Sequence, residues 1–215
     1  MNRTTGHTLK RTVRRTGGPA LGRTLVALGV LAAVAALDPE PASAEDRWGF
    51  DLRAAAGVAT QDDARDTSEN GFGFGATFYL RLQEHLYAYG GWDWMRYQAL
   101  GEIAGPDVDL EETGYHLGLR FEHPFGDSDI RWWVRGGALI HHFEFENADG
   151  DIFEDTGHGL GWEGGAGVTV PLGRAWSLTP GVRYRSVNRE AELLNVTTDV
   201  ELQAVTFELG IRRRF

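Results

Sequence analysis

The sequence predicts an all-β chain folded as an eight-stranded antiparallel up-and-down transmembrane β-barrel. Three observations predict it: stretches in which apolar residues recur at every second position, an even number of such stretches joined by connections of alternating length, and an export segment ahead of them. Period two gives a strand two unlike faces. Closing the sheet removes its edges, as a lipid environment requires.

The export segment is set apart from the fold. Arg11, Arg14, Arg15 and Arg23 make a positive region, Thr24 to Leu37 an apolar one, and Ala42-Ser43-Ala44 a small-residue cleavage motif. Residues 1–44 are therefore expected to be removed, leaving a domain of residues 45–215 that starts at Glu45. The apolar region is too short to span a membrane as a helix, and no later run of about 20 apolar residues could do so. Thr16-Gly17-Gly18 after Arg14-Arg15 lacks the apolar character of a twin-arginine signal, so Sec export is expected. With no Cys in the chain, a lipoprotein anchor is excluded. Removal of residues 1–44 takes away six basic and two acidic residues, and the formal charge moves from -10 to -14. The remaining chain has no Lys and no basic tract, which excludes a nucleic-acid partner.

The first strand places Trp48, Phe50, Leu52, Ala54, Ala56 and Val58 on one face, with Asp51 and Arg53 on the other. After the acidic stretch 61–71, a second strand sets Phe72, Phe74, Phe78, Leu80 and Leu82 against Gly73, Gly75, Thr77, Tyr79 and Arg81. Gln83-Glu84-His85 is a tight turn. A third strand runs from about Leu86 to Leu100, with Trp92 and Trp94 opposite Asp93. An acidic connection 101–112 leads to the fourth, in which Tyr115, Leu117, Leu119 and Phe121 oppose His116, Arg120 and Glu122.

The second half repeats the scheme. Beyond the turn Gly126-Asp127-Ser128-Asp129, the fifth strand sets Ile130, Trp132, Val134 and Ile140 against Arg131, Trp133, Arg135 and His141. A loop 144–159 follows. The sixth strand carries Leu160, Trp162, Ala166, Val168 and Val170 opposite Glu163 and Thr169, and the turn Gly173-Arg174-Ala175 leads to the seventh, with Trp176, Leu178, Val182 and Tyr184 opposite Arg183 and Arg185. A polar connection is expected up to about Glu201. The eighth strand then sets Val205, Phe207, Leu209, Ile211 and Phe215 against Thr206, Glu208, Gly210, Arg212 and Arg214.

Eight antiparallel strands could equally form a soluble barrel with the apolar face inward. The polar face combines Gly with Arg, Asp and Glu, which cannot line a cavity for an apolar ligand, and the apolar face carries Trp and Tyr near strand ends, as interfacial girdles do. The apolar face is therefore expected to meet lipid. The interior of an eight-stranded barrel is just wide enough to be filled by side chains. Inward positions supply Arg53, Arg81, Arg120, Arg131, Arg135, Arg183, Arg185 and Arg212 against Asp51, Asp93, Glu122, Glu163 and Glu208, with His116 and His141 between them. These residues are expected to form an ion-pair network that plugs the lumen. A symmetric hairpin at 173–175 would place Glu163 opposite Arg185, and a loop centred near Pro106 would place Asp93 opposite Arg120.

Other chemistry is sparse, and no catalytic, cofactor or metal residues are assigned. Asn147 to Asp151 resembles the start of a calcium loop, but Ile152 stands where the turn Gly belongs and no Glu occupies the twelfth position. His141 and His142 with Glu144 do not make a metal site, because consecutive strand residues face opposite ways. No cofactor is expected.

The terminal strand, closed by Phe215, resembles the last strand of bacterial outer-membrane β-barrels, whose terminal Phe serves as a signal to the barrel-assembly machinery; Arg213 departs from the apolar residue usual at that place. The resemblance extends over the whole of 45–215, to small OmpA-like, OmpX-like and opacity-type barrels. It implies a cell outer membrane location, both termini on the periplasmic side, and a structural, surface-interaction or protective role rather than an enzymatic one. It also implies lipid and lipopolysaccharide as surroundings. With the chain ending at Phe215, the peptidoglycan-binding domain of full-length OmpA-like proteins is expected to be missing. Two other readings stay open: a lipid A-modifying enzyme of the deacylase kind, and a narrow channel for small apolar compounds. Deacylases resemble a strand with His two before Ser, whereas Tyr184 stands two before Ser186 here. The long loops would carry Asp62, Asp63, Asp66 and Glu69, then Asp107, Asp109, Glu111 and Glu112, then Asp149, Asp151, Glu154 and Asp155. Such a field favours divalent cations bridging to lipopolysaccharide phosphates, or a basic extracellular partner; simple solvation is the plainer alternative.

Overall fold

The computed structural model describes residues 47–60, 70–97, 109–146, 152–193 and 196–215. They form antiparallel strands β1 (Trp48–Ala59), β2 (Gly71–Arg81), β3 (Leu86–Tyr97), β4 (Asp109–Pro124), β5 (Arg131–Glu146), β6 (Ile152–Asp155), β7 (Gly159–Pro171), β8 (Trp176–Leu193) and β9 (Val196–Arg214). Apart from β6, strands next to each other along the chain pair, β5 pairing with β7 across β6, and β1 also pairs with β9, so the sheet closes. The four-residue β6 pairs with β5 beyond the start of β7. The barrel is therefore a closed ring of eight strands, with β6 as an extension at one end.

That closure follows from the turn chemistry. Three tight connections lie at one end of the barrel, here the turn end. The Leu82 N–H donates to the Leu86 carbonyl at 2.8 Å, the Phe125 N–H to the Ile130 carbonyl at 3.0 Å, and the Leu172 N–H to the Trp176 carbonyl at 2.8 Å. Gly126 and Gly173 take positive φ in the latter two turns (54° and 106°), where a side chain would be strained. The Phe215 N–H donates to the Trp48 carbonyl at 2.9 Å, zipping the last residue onto the first strand at this same end. The opposite, loop end carries the connections 60–70, 98–108 and 147–158.

Three expectations about this loop end are corrected. The connection expected to run to about Glu201 is a hairpin, in which Leu193 stands opposite Val196 and the ladder of β8 and β9 continues unbroken below them. β4 likewise begins at Asp109, so Asp109, Glu111 and Glu112 are strand residues rather than loop residues, and within the expected loop 144–159 β5 runs on to Glu146 while Glu154 and Asp155 belong to β6. These differences have one cause. Apolar alternation marks only the part of a strand that touches lipid, while backbone pairing continues for as long as the two chains stay in register. The segment 1–44 and the acids Asp62, Asp63, Asp66, Glu69, Asp107, Asp149 and Asp151, with the calcium-like Asn147 to Asp151, lie outside the described residues.

The two faces sort as the alternation requires. Phe72, Phe74, Phe78, Leu117, Leu160, Phe207 and Leu209 are each more than half exposed on the outside. Cross-strand aromatic pairs such as Phe74 with Trp92 and Trp94, at 5.7 and 5.3 Å between ring centroids, tie adjacent strands within this belt. Arg213 faces outward as well. Its guanidinium lies 5.7 Å from the Trp176 ring and 5.2 Å from the Phe215 ring, so the stem runs along apolar surface while the charge sits at the rim.

Candidate functional site

The interior is the candidate site, because every strand of the eight-membered ring turns charged or hydroxyl groups into it. Among the described residues, six carboxylates (Asp51, Asp93, Glu112, Glu122, Glu163, Glu208) and six guanidinium groups (Arg53, Arg120, Arg135, Arg183, Arg185, Arg212) are buried there. The match in number lets every buried charge meet one of opposite sign. Arg suits the task, since its planar fork stays charged and can hold two carboxylates at once.

Midway along the barrel, six of these groups alternate in a closed ring. Arg53 lies 2.7 Å from Asp93, Asp93 2.7 Å from Arg183, and Arg183 2.9 Å from Glu163. Glu163 lies 3.8 Å from Arg135, Arg135 2.8 Å from Glu208, and Glu208 3.7 Å from Arg53. Arg183 also crosses the ring to Glu208 at 2.7 Å. Tyr89 donates to Glu163 at 2.6 Å, and His116 Nδ1 lies 2.7 Å from Asp93 while its Nε2 lies 3.0 Å from Thr77 Oγ1. β1, β3, β5, β7, β8 and β9 supply the six charges, β2 supplies Thr77 and β4 supplies His116, so all eight barrel strands meet in this layer.

Two further layers flank it. Toward the turn end, Glu122 accepts from Arg120 at 2.7 Å and Arg212 at 3.1 Å, and Asp51 accepts from Thr179 at 2.7 Å. Arg120 stacks over Trp133 at 4.3 Å and Arg212 over Tyr79 at 4.1 Å, so flat aromatic faces fill the space beside the guanidinium planes. A cavity of about 400 Å³ opens below this layer, lined by Tyr87, Arg131, Ser177 and Arg212 among others. Toward the loop end, Glu112 lies 2.8 Å from His141 and 3.2 Å from Arg185, which also donates to the Tyr97 hydroxyl at 3.0 Å. Around and beyond this layer the interior turns apolar: Met95, Leu110, Leu139, Phe143, Phe145, Val187 and Leu202 pack into one buried cluster.

The sequence-derived lumen set separates into three groups. Asp51, Arg53, Asp93, Arg120, Glu122, Arg135, Glu163, Arg183, Arg185, Glu208 and Arg212 are buried in the layers just described. Arg131 is about a quarter exposed at the turn end and reaches Glu122 at 3.3 Å. Arg81 stands apart at the rim, its Nε on the Gln83 carbonyl at 3.4 Å.

The expected partners differ from those found. Asp93 lies opposite Gly114, and Arg120 lies opposite Tyr87. The pairing Tyr97↔Leu110 centres that connection between residues 103 and 104 rather than near Pro106, which slides Arg120 six residues along β3. Glu163 does lie opposite Arg185, yet its carboxylate turns to Arg135, Arg183 and Tyr89. Strand tilt and stagger in a closed barrel bring diagonal and cross-lumen side chains nearer than the facing one.

Glu112, Tyr89 and the apolar cluster escaped the sequence reading, which placed Trp133 on the inward face but gave it no role. A signal for them exists. Inward positions on β4 are even-numbered, so parity carried back from His116 reaches Glu112 and Leu110; inward positions on β3 and β5 are odd-numbered and reach Met95, Tyr97, Phe143 and Phe145. Ser186 stands opposite Trp162 and Gln203, neither of which is a base that could activate it.

A family model described as outer membrane protein beta-barrel domain matches residues 24–215. No curated protein sequence matches the chain. Among solved structures it is similar to Neisserial surface protein A, at 16% identity and TM-score 0.61 over 80% of this chain and 100% of that one. It is also similar to OprG from Pseudomonas aeruginosa, at 15% identity and TM-score 0.51 over 80% of this chain and 97% of that one. Outer Membrane Protein W of E. coli is similar at 17% identity and TM-score 0.50, over 79% of this chain and 99% of that one. With a family match across nearly the whole chain, a closed ring of eight strands and an apolar outer face, this chain belongs to the outer membrane protein beta-barrel family and is a protein of the outer membrane.

Proposed function

We propose that the protein is a sealed, non-conducting barrel whose structural, protective or surface-binding role is carried by its loop end. The observation behind this reading is the interior, where a six-membered ring of alternating charges drawn from all barrel strands lies under a packed apolar layer. An ion crossing it would have to displace paired, desolvated charges and then pass through side chains with no polar group to replace its water. In planar bilayers the refolded protein is expected to show no steady conductance. Glu163→Ala, which breaks the ring and frees the Tyr89 hydroxyl, is expected to admit a leak. Steady openings of the unaltered protein would instead favour a narrow channel for small compounds.

Orientation follows from the same reading. The chain is processed after Ala44, the turn end faces the periplasm and the loop end faces the exterior, where the acidic residues near 61–69 and 98–108 meet cations or a basic partner. Protease added to whole cells is expected to cut within those stretches and to spare 83–85 and 126–129, on a protein whose first residue reads Glu45. Cleavage confined to 83–85 or 126–129 would invert the topology. A deacylase reading draws no support from Ser186, given its neighbours Trp162 and Gln203.

A further inference from the structure

On the outer surface at the loop end, β5 and β6 bring together a set of side chains that the lumen does not use. His142 and Glu144 are two residues apart on β5 and so share its outward face. Asp155 of β6 stands directly opposite Glu144. His142 Nε2 lies 3.7 Å from Glu144 and its Nδ1 3.5 Å from Asp155, and one ligand atom from each of the three lies within 4.8 Å of the other two. The ring of His158 is 4.4 Å from that of His142, centroid to centroid, and it stacks on Tyr115 at 6.5 Å.

Two features set this cluster apart from a solvated acidic rim. Directly opposed like charges destabilise a sheet; Glu111 beside Glu144 is held by Arg96 at 3.4 Å and by the Trp94 indole N–H at 2.8 Å, so it is the Glu144–Asp155 pair, with His142 against both, that asks for a cation. The donors are also mixed. Two imidazoles and two carboxylates suit a borderline divalent ion such as Zn²⁺, whereas Ca²⁺ and Mg²⁺ prefer six or more oxygens. Tetrahedral zinc with bonds of about 2.1 Å needs ligand atoms about 3.4 Å apart, so the three ligand atoms, now within 4.8 Å of one another, must draw together, with a single nitrogen of His142 on the metal. Asp155 is held for the task, since it accepts the Gly157 N–H at 2.9 Å.

We propose that His142, Glu144, Asp155 and His158 form a surface site for a divalent transition-metal ion, of the Zn²⁺ class, which clamps β6 and the segment before β7 onto β5. The lumen histidine His141 takes no part, because its ring faces inward to Glu112.

The test uses the mature barrel, refolded in detergent without a polyhistidine tag, stripped with EDTA and titrated calorimetrically with ZnCl₂; Co²⁺ absorption reads the geometry. The expected result is one Zn²⁺ per chain with tetrahedral Co²⁺ bands, and no displacement by excess Ca²⁺ or Mg²⁺. His142→Ala is expected to weaken binding by at least about tenfold, with Asp155→Asn and His158→Ala each weaker than the parent, while His123→Ala at the turn end leaves affinity unchanged. Heat-modified gel migration verifies that each variant is folded; should His142→Ala not fold, Asp155→Asn carries the comparison. The proposal is overturned by the absence of saturable Zn²⁺ binding, by equal binding of Ca²⁺, or by equal losses in the loop-end variants and His123→Ala.

Discussion

Arg183→Ala is expected to cost about 3 to 5 kcal/mol of stability, the range for removing one partner from a buried ionic group. Arg183 touches three carboxylates at once, Asp93 at 2.7 Å, Glu163 at 2.9 Å and Glu208 at 2.7 Å. Its loss leaves them close together with one strong cation fewer, in a part of the barrel that water does not reach. Urea unfolding in lipid vesicles, followed by Trp fluorescence, measures the change. Asp127→Ala in an exposed turn is the reference and is expected to stay within about 0.5 kcal/mol. Adding Glu208→Gln to Arg183→Ala removes one stranded charge and should recover part of the loss, so the two substitutions are expected to be non-additive. Equal midpoints for Arg183→Ala and the parent would mean that water enters the ring and solvates the three carboxylates.

Gly167→Ala is expected to lower stability by about 3 kcal/mol, at the upper end of overpacking costs. Gly167 and Gly181 face each other across β7 and β8, and the Trp133 ring lies against both. A Cβ on Gly167 would come within 2.3 Å of the Pro180 carbonyl oxygen and 2.4 Å of the Trp133 ring. A Cβ on Gly181 would meet ring atoms at 2.5 and 2.6 Å, with the nearest backbone oxygen at 3.0 Å. The two glycines should therefore respond differently to a smaller residue at 133. Trp133→Leu is expected to rescue Gly181→Ala substantially and Gly167→Ala little, because a smaller residue at 133 removes the ring clash while the Pro180 carbonyl, part of the strand backbone, stays against residue 167. The same unfolding assay decides it, and equal rescue of both would show that the strands separate freely at this point.

These two sites mark where local reading ends. Which side of the wall each residue occupies was legible from period two alone. Leu52 between Asp51 and Arg53, Phe74 between Gly73 and Gly75, and Phe207 beside Glu208 all lie on the faces their alternation assigns, because successive side chains of a strand must point opposite ways. The eight-strand count and the three tight turns were legible for a similar reason, since Gly and short polar runs declare a turn within a few residues.

Partnership was not legible. That Arg183 meets Asp93, 90 residues away, depends on the register of every strand between them and on the stagger with which the ring closes. One connection centred between residues 103 and 104 instead of near Pro106 moves Arg120 away from Asp93 and beside Trp133. Likewise Glu112, which its acidic neighbours assign to a loop, lies inside on His141 and Arg185, because pairing carries β4 beyond its apolar stretch. Facing is a property of two adjacent residues and can be read from the chain. Register and closure belong to the whole ring, and in this barrel they choose which charge neutralises which.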